Sequence, residues 1–358
     1  MNYRFFISMA ACMTLSVSLF AQGERKDKTA VTYEEIYDEP YSINKLFVGI
    51  MPLYGELFAT NVNAGFGAEA AYYYKDKFDF KVHFRKTYSQ QFFDFARDLS
   101  VKQSSVDNRA EVYNYYEFGA TYHVKDFEES SKTKMFLYKK SYRGDKWAAR
   151  VPLSADVPCK VRKIYGVRLG GIIWDSSTDL ARALDAQGLN NNALVTAEGK
   201  PLPLQEYNTN GKLQNVHAFS NIASKGLYLG GSMTWIKNVA VNFDKFEEGV
   251  DDLMFTAYAD ILFAPSMTLD DVMYTEKDEF GAAIAGSTAT YAVDPLKTKK
   301  IGFRLGVDGR FNRQFGWSYG AEVGYRPALE KRTFYALLKI CFPVFGTNLD
   351  YKVESFGK

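Results

Sequence analysis

The sequence predicts an all-β protein, a closed antiparallel transmembrane β-barrel of about 12 strands within a range of roughly 10–14. Three observations predict it. Apolar and polar residues alternate with a period of two in run after run, the pattern of strands with two unlike faces. The runs extend over about 10–14 residues, longer than the roughly 5–6 usual in soluble sheets and enough for the roughly 9–11 of a membrane strand. Aromatic residues (28 Phe, 25 Tyr and 4 Trp) make up 16% of the 358 residues; they favour strands and gather at the interfaces of membrane barrels. Composition excludes two other classes. A formal charge of +2 lacks the clustered basic excess that a nucleic-acid partner needs. A mean hydropathy of -0.26, with no apolar run of about 18 residues beyond the N-terminus, excludes a helical membrane protein.

Residues 1–21 read as a signal peptide. Arg4 supplies the positive charge, an apolar stretch follows, and Ala21 offers a small residue for cleavage before Gln22. A rival reading takes Met9-Ala10-Ala11-Cys12 as a lipoprotein site, but the apolar stretch continues past Cys12 through Leu15, Val17, Leu19 and Phe20. Export leaves Cys159 and Cys341, whose spacing gives no disulfide framework; unpaired strand thiols are the expectation. Residues 22–43 are charged and turn-rich and read as an extended periplasmic leader carrying Glu34, Glu35, Asp38 and Glu39.

The barrel is expected over 44–346. Its clearest strand is 77–85, with Phe78, Phe80, Val82 and Phe84 on one face and Lys77, Asp79, Lys81, His83 and Arg85 on the other. Upstream, Phe66, Ala68, Ala70, Tyr72 and Tyr74 share a face, and Lys75-Asp76-Lys77 is a tight turn, so 66–85 reads as a hairpin. A turn centred on Asp76 sets Glu69 opposite His83, and a slip of two sets it opposite Lys81. The runs 301–311, 316–326 and 332–345 repeat the alternation, and further runs lie near 44–58, 112–125, 133–142, 160–174, 225–235, 238–246 and 252–264. Long excursions at 87–111, 175–223 and 265–299 suit the long outer loops of membrane barrels. With about 12 strands, however, the second falls on the opposite side from the third. Within 175–223 a helix is expected, capped by Ser176 or Ser177, with Leu180 and Leu184 on one face and Gly188 ending it. Residues 347–358 read as a tail.

Little in the sequence points to catalysis. GFGAEA at 65–70 fits a loose dinucleotide-binding pattern, but that motif must open a helix, and strand follows here; small residues thinning a barrel wall or lumen explain it better. His83, His123 and His217 show no metal-ligand spacing, and no nucleophile elbow is present. No enzyme, cofactor or metal is expected. The polar faces say more: Lys77, Asp79, Arg85, Arg162, Arg168, Asp260 and Lys339 should share one lumen with a network of Glu69, Lys81, His83, Glu117, Arg304, Asp308, Arg310, Glu322 and Arg326. A turn centred on Arg313 sets Arg304 opposite Glu322, and such cross-strand pairs contribute about 0.2–1 kcal/mol. Mixed signs favour a cross-braced lumen over a single-sign ion filter, and a solute site built from the same groups is the alternative.

From about residue 44 to 346 the chain resembles an outer-membrane β-barrel of the porin-like superfamily, in the style of Bacteroidota barrels. The likeness rests on KIYGVRLGG (163–171), GLYLGGSMTW (226–235), TAYADILFAP (256–265) and IGFRLGVDGR (301–310). Many such barrels end on an aromatic strand residue, whereas here Phe345 is followed by GTNLDYKVESFGK. The resemblance implies residence in the outer membrane among its lipids. The expected function is passage or binding of a small polar solute through the lumen. The alternatives are a non-conducting structural or docking barrel among envelope proteins, and an exported soluble β-sheet binding protein.

Overall fold

A computed structural model describes residues 31–88, 93–137, 154–244, 246–312 and 316–346. The expected signal peptide, the first part of the leader and the tail lie outside these residues.

Ten strands, not about twelve, form the barrel: β1 (Leu46–Phe58), β2 (Asn61–Tyr74), β3 (Phe78–Thr87), β4 (Asn114–Phe136), β5 (Ser154–Asp179), β6 (Phe219–Ile236), β7 (Leu253–Leu269), β8 (Ile301–Phe311), β9 (Ser318–Tyr325) and β10 (Phe334–Gly346). Each pairs antiparallel with its chain neighbour, and β10 closes the ring on β1. Two expected strands resolve differently. The described part of the run at 133–142 continues β4 to Phe136, because β4 and β5 stay paired beyond the barrel as far as Phe136 and Ser154, and 138–142 lie outside the described residues. The run at 238–246 leaves the barrel: Val239–Phe243 is the middle strand of a separate sheet between Tyr33–Asp38 and Gly249–Asp251.

The corrected count also settles sidedness. The links around 88–113, 180–218 and 270–300 all lie at one end, the cap end, together with the 59–60 turn. The start of β1 and the finish of β10 lie at the other, the terminal end.

The Lys75–Lys77 turn sets Glu69 opposite His83, the expected register. The β8–β9 hairpin turns one residue later than expected, so Arg304 faces Gly324 and Glu322 faces Gly306. Pro52, Pro265 and Pro343 lie at or beside register shifts in β1, β7 and β10, where a residue without an N–H interrupts the ladder least.

The outward faces are apolar around the ring. Ile261 on β7 is 64% exposed and Leu338 on β10 is 67% exposed. Outward aromatics pair near both ends: Phe78 with Tyr122, Trp235 with Phe255 and Phe311 with Trp317 toward the terminal end, and Phe84 with Tyr116 and Phe303 with Tyr325 toward the cap.

Both mouths are covered. At the cap end, α1 (Phe95–Gln103) and α2 (Leu180–Gln187) sit among short hairpins. Leu180 and Leu184 of α2 are buried, as expected, in a core continuous with Phe58, Trp174 and Tyr335 of the barrel. The cap of α2 is Asp179 rather than Ser176 or Ser177, because β5 runs on to that residue; its side chain accepts from Arg182 N at 3.2 Å. Gly188 ends the helix with φ 77°.

At the terminal end the described part of the leader is not simply extended. Tyr33–Asp38 is a strand, and the following residues cross the mouth, where Ile43 packs with Tyr73, Ile164, Ile236 and Met254. Asn238 Nδ2 and Asn312 Nδ2 each donate to Ser42 O at 2.9 Å. Beyond the mouth, Val239, Val241 and Phe243 of the small sheet pack on Met135, Val157 and Cys159 of the β4–β5 extension.

Two turns in the cap share one construction. Asn208 N donates to Lys212 O and Asp278 N to Ala282 O, both at 2.9 Å, with Gly211 and Gly281 at positive φ. A Cβ on Gly281 would come within 2.3 Å of the Asn208 carbonyl carbon. Gly281→Val should therefore loosen the cap by about 1–3 kcal/mol. Hydrogen exchange should accelerate across 205–215 and 278–282 with barrel amides unchanged; equal protection in both proteins contradicts this reading.

Candidate functional site

Alternation along the strands delivers one set of side chains to the interior, and these fall into three tiers. Nearest the cap, Glu56 accepts two bonds from Arg326, at 3.0 and 2.8 Å. Arg85 lies 3.9 Å from the same carboxylate and stacks 3.8 Å from the Tyr115 ring centroid. In the middle, Arg304 donates to Glu117 at 3.0 and 2.5 Å and to Asp260 at 2.7 Å, and lies 3.7 Å from Glu322. Asp260 also accepts from Arg168 at 3.0 Å. Tyr115 OH donates to Glu117 and Tyr258 OH to Glu322, at 2.8 and 3.0 Å.

Toward the terminal end, the Lys339 ammonium donates to Glu69 at 3.1 Å and to His83 Nδ1 at 3.2 Å, and forms an ion pair with Asp308 at 3.2 Å. Accepting at Nδ1 assigns the His83 proton to Nε2. Lys81 reaches Asp308 at 3.5 Å, and Arg310 lies over the Phe47 and Tyr73 rings.

All nine residues of the expected network thus face the interior, distributed over all three tiers. Lys77 does not join them; it is exposed in the turn because β3 starts one residue later. Arg304 and Glu322 are diagonal rather than directly opposed, yet long side chains still bring them together. The sequence reading missed Glu56, whose run is put out of phase by the shift at Pro52 and Leu53. It also missed the interior tyrosines Tyr115, Tyr228 and Tyr258, which with Tyr335 are buried among the charges. Runs of adjacent tyrosines such as Tyr115-Tyr116 hide which ring turns inward.

Charges taken from water cost several kcal/mol each unless paired and hydrogen-bonded; Arg304, Arg326 and Lys339 meet that condition, whereas Arg85 Nε and Nη2 have no hydrogen-bond partner among the described residues. These side chains also fill the barrel. A cavity of about 50 Å³ remains in the terminal tier, lined by groups including Glu69, Lys81, His83, Asp308 and Lys339.

A second, larger cavity of about 610 Å³ lies in the cap, lined by residues including Asn108, Arg109, Glu111, Asn114, Asp175 and Asp270. Burial, then Asp175 and Asp270 beside it, push the Glu111 carboxyl above its ordinary pKa. Among the described residues no group of three His, Cys, Asp or Glu is arranged to hold a metal ion. Cys159 and Cys341 are buried and unpaired, and GFGAEA lies within β2.

The fold and interior define a closed ten-stranded antiparallel barrel with a mixed-charge core. No family model and no curated protein matches the chain.

Removing one partner of a buried pair strands the other. Arg304→Met should destabilise the barrel by about 3–5 kcal/mol, while Lys81→Met, at the more open end, should cost about 1 kcal/mol or less. Urea unfolding followed by tryptophan fluorescence measures both. Equal losses contradict the tiered account.

Proposed function

We propose that the chain is an outer-membrane β-barrel of porin-like architecture that stays closed and acts as a structural or docking partner in the cell envelope. The observation that carries the membrane assignment is the outward belt. Soluble monomers rarely present contiguous apolar patches above a few hundred Å², and here apolar side chains face outward on all ten strands, with aromatics toward both ends. A bilayer is the solvent in which such a surface is stable, and a closed ring leaves no strand edge unpaired in lipid. An exported soluble protein would have to cover the same belt with a partner.

Membrane barrels place short turns in the periplasm and long loops outside. That rule puts the cap at the cell surface and the two-layer β module at the terminal end in the periplasm, with exposed Glu34 and Glu35 on its leader strand. Export by residues 1–21 belongs to this reading.

Docking is favoured over solute passage because the route through the barrel is occupied. A solute would have to displace Ile43, the Lys339 cluster, the Arg304 bridge and the apolar cap in turn. Small-solute binding keeps one supporting feature, the 50 Å³ polar cavity beside Lys339, which limits a ligand to a few heavy atoms. No enzymatic activity is proposed.

Membrane fractionation with boiled and unboiled gel migration tests the barrel, and planar-bilayer recording tests closure. The expected result is a compact unboiled form from the outer-membrane fraction that passes no current. Stepwise conductance from the unaltered chain overturns closure and restores solute passage. An unshifted protein in the soluble fraction overturns the membrane assignment.

A further inference from the structure

A cavity of about 80 Å³ opens at the cap end between α1, α2 and the turn joining β1 to β2. Its polar lining consists of Thr60, Asn61, Asp179, Arg182 and Arg332. Most of these groups are already committed. Asn61 is saturated: its amide N–H bonds go to Asp94 and Ser176, and its oxygen accepts from Ala96 N. Asp179 caps α2 and pairs with Arg182 Nε at 3.2 Å. Arg332 Nη2 donates to the Arg182 backbone oxygen at 3.2 Å, which holds the Arg332 guanidinium against α2.

Two donors remain. Arg332 Nε and Thr60 Oγ1 are both buried and have no hydrogen-bond partner among the described residues, and Thr60 is only 8% exposed. Buried donors are nearly always paired, because leaving one unpaired forfeits its hydration without return. The occupant that matches them is an acceptor. Charge gives its sign, since two guanidinium groups face one carboxylate. Size gives its class, since the cavity exceeds the roughly 30 Å³ that one water occupies. A guanidinium fork and a hydroxyl are the groups that bind a tetrahedral oxyanion through several oxygens at once.

We propose that this cavity binds a phosphate group. The same chemistry is offered by free inorganic phosphate and by a lipid headgroup. The location suits the second source: exposed Val62 and Phe95 line the cavity where the outward apolar belt ends. The lipid source rests on the membrane reading above; binding of inorganic phosphate does not.

The test uses the full chain in maltoside detergent, with thermal unfolding and phosphorus NMR as readouts. Inorganic phosphate is one probe. Micelles doped with phosphatidic acid or with diacylglycerol, which differ only in the phosphate, are the other. Arg332→Gln should weaken phosphate binding about 10-fold, and Thr60→Val about 3-fold. Both positions lie outside the barrel core, and retained heat-modifiable migration will show that the variants fold.

Stabilisation by inorganic phosphate alone assigns a free anion. Selective stabilisation by phosphatidic acid, lost in Arg332→Gln, assigns a lipid headgroup. The proposal is overturned if neither probe acts on the unaltered chain. It is equally overturned if phosphate stabilises Arg332→Gln as well as the parent, because that response is general salting of the surface. A chain that proves soluble yet binds inorganic phosphate through Arg332 removes the membrane reading and keeps the site.

Discussion

Arg304 is the side chain on which the interior turns. It stands on β8 and reaches Glu117 on β4, Asp260 on β7 and Glu322 on β9, so one guanidinium ties together four of the ten strands. A closed sheet fixes its own circumference through backbone hydrogen bonds, but nothing in those bonds keeps the ring from flattening. Braces across the interior do. An arginine suits the position because its planar fork satisfies two carboxylates while its face rests on an aromatic ring, here Tyr228 at 4.4 Å. The tyrosine hydroxyls that donate to Glu117 and Glu322 supply acceptor satisfaction that arginine alone leaves incomplete.

The rest of the architecture is consistent with that brace. A filled interior leaves each charge dependent on its protein partners, and both mouths are closed by unlike means. The cap end is sealed by an apolar core that includes α2, whereas the terminal end is crossed by the leader, with Ile43 as its buried contact. Between these seals the tiers alternate in sign at short range, so no stretch of the interior presents a single charge to an ion. Small barrels are commonly filled by their own side chains; this one is filled by large ones, with arginines laid against tyrosines.

Sequence alternation revealed the class of fold and the facing of the β2–β3 hairpin, because a three-residue turn leaves little freedom of register. It was less informative where the chain departs from the barrel. Glu128 to Lys132 are polar on both faces and resemble a loop, yet they are the solvent-bathed middle of β4. Val239 to Phe243 are apolar and resemble a barrel strand, yet they belong to the small sheet beyond the mouth. Each error counted one strand too many, and together they left parity even while placing a long loop on the wrong side. In the interior, charged residues were legible because they alternate with the apolar residues of the outward faces. Tyrosine is acceptable on either face, so the rings that complete the network carried no signal. The capping residue of α2 was missed for a related reason: serine and aspartate both cap helices, and only the length of β5 selects Asp179.

A filled interior directs attention to the two ends. Beyond the last β5–β6 pair, Arg162 with Ile236, β4 and β5 continue as paired strands from Glu129 and Val161 to Phe136 and Ser154, a reach of roughly 23–26 Å at 3.3 Å per residue. Such an extension contributes nothing to closing the barrel, and an isolated ribbon of that length would be marginal in water. It persists because the leader strand and its two partners lay an apolar layer of Val239, Val241 and Phe243 against one face, leaving the other face charged. The same leader then supplies Ile43 to the mouth. The leader therefore joins the small sheet to the segment that crosses the mouth.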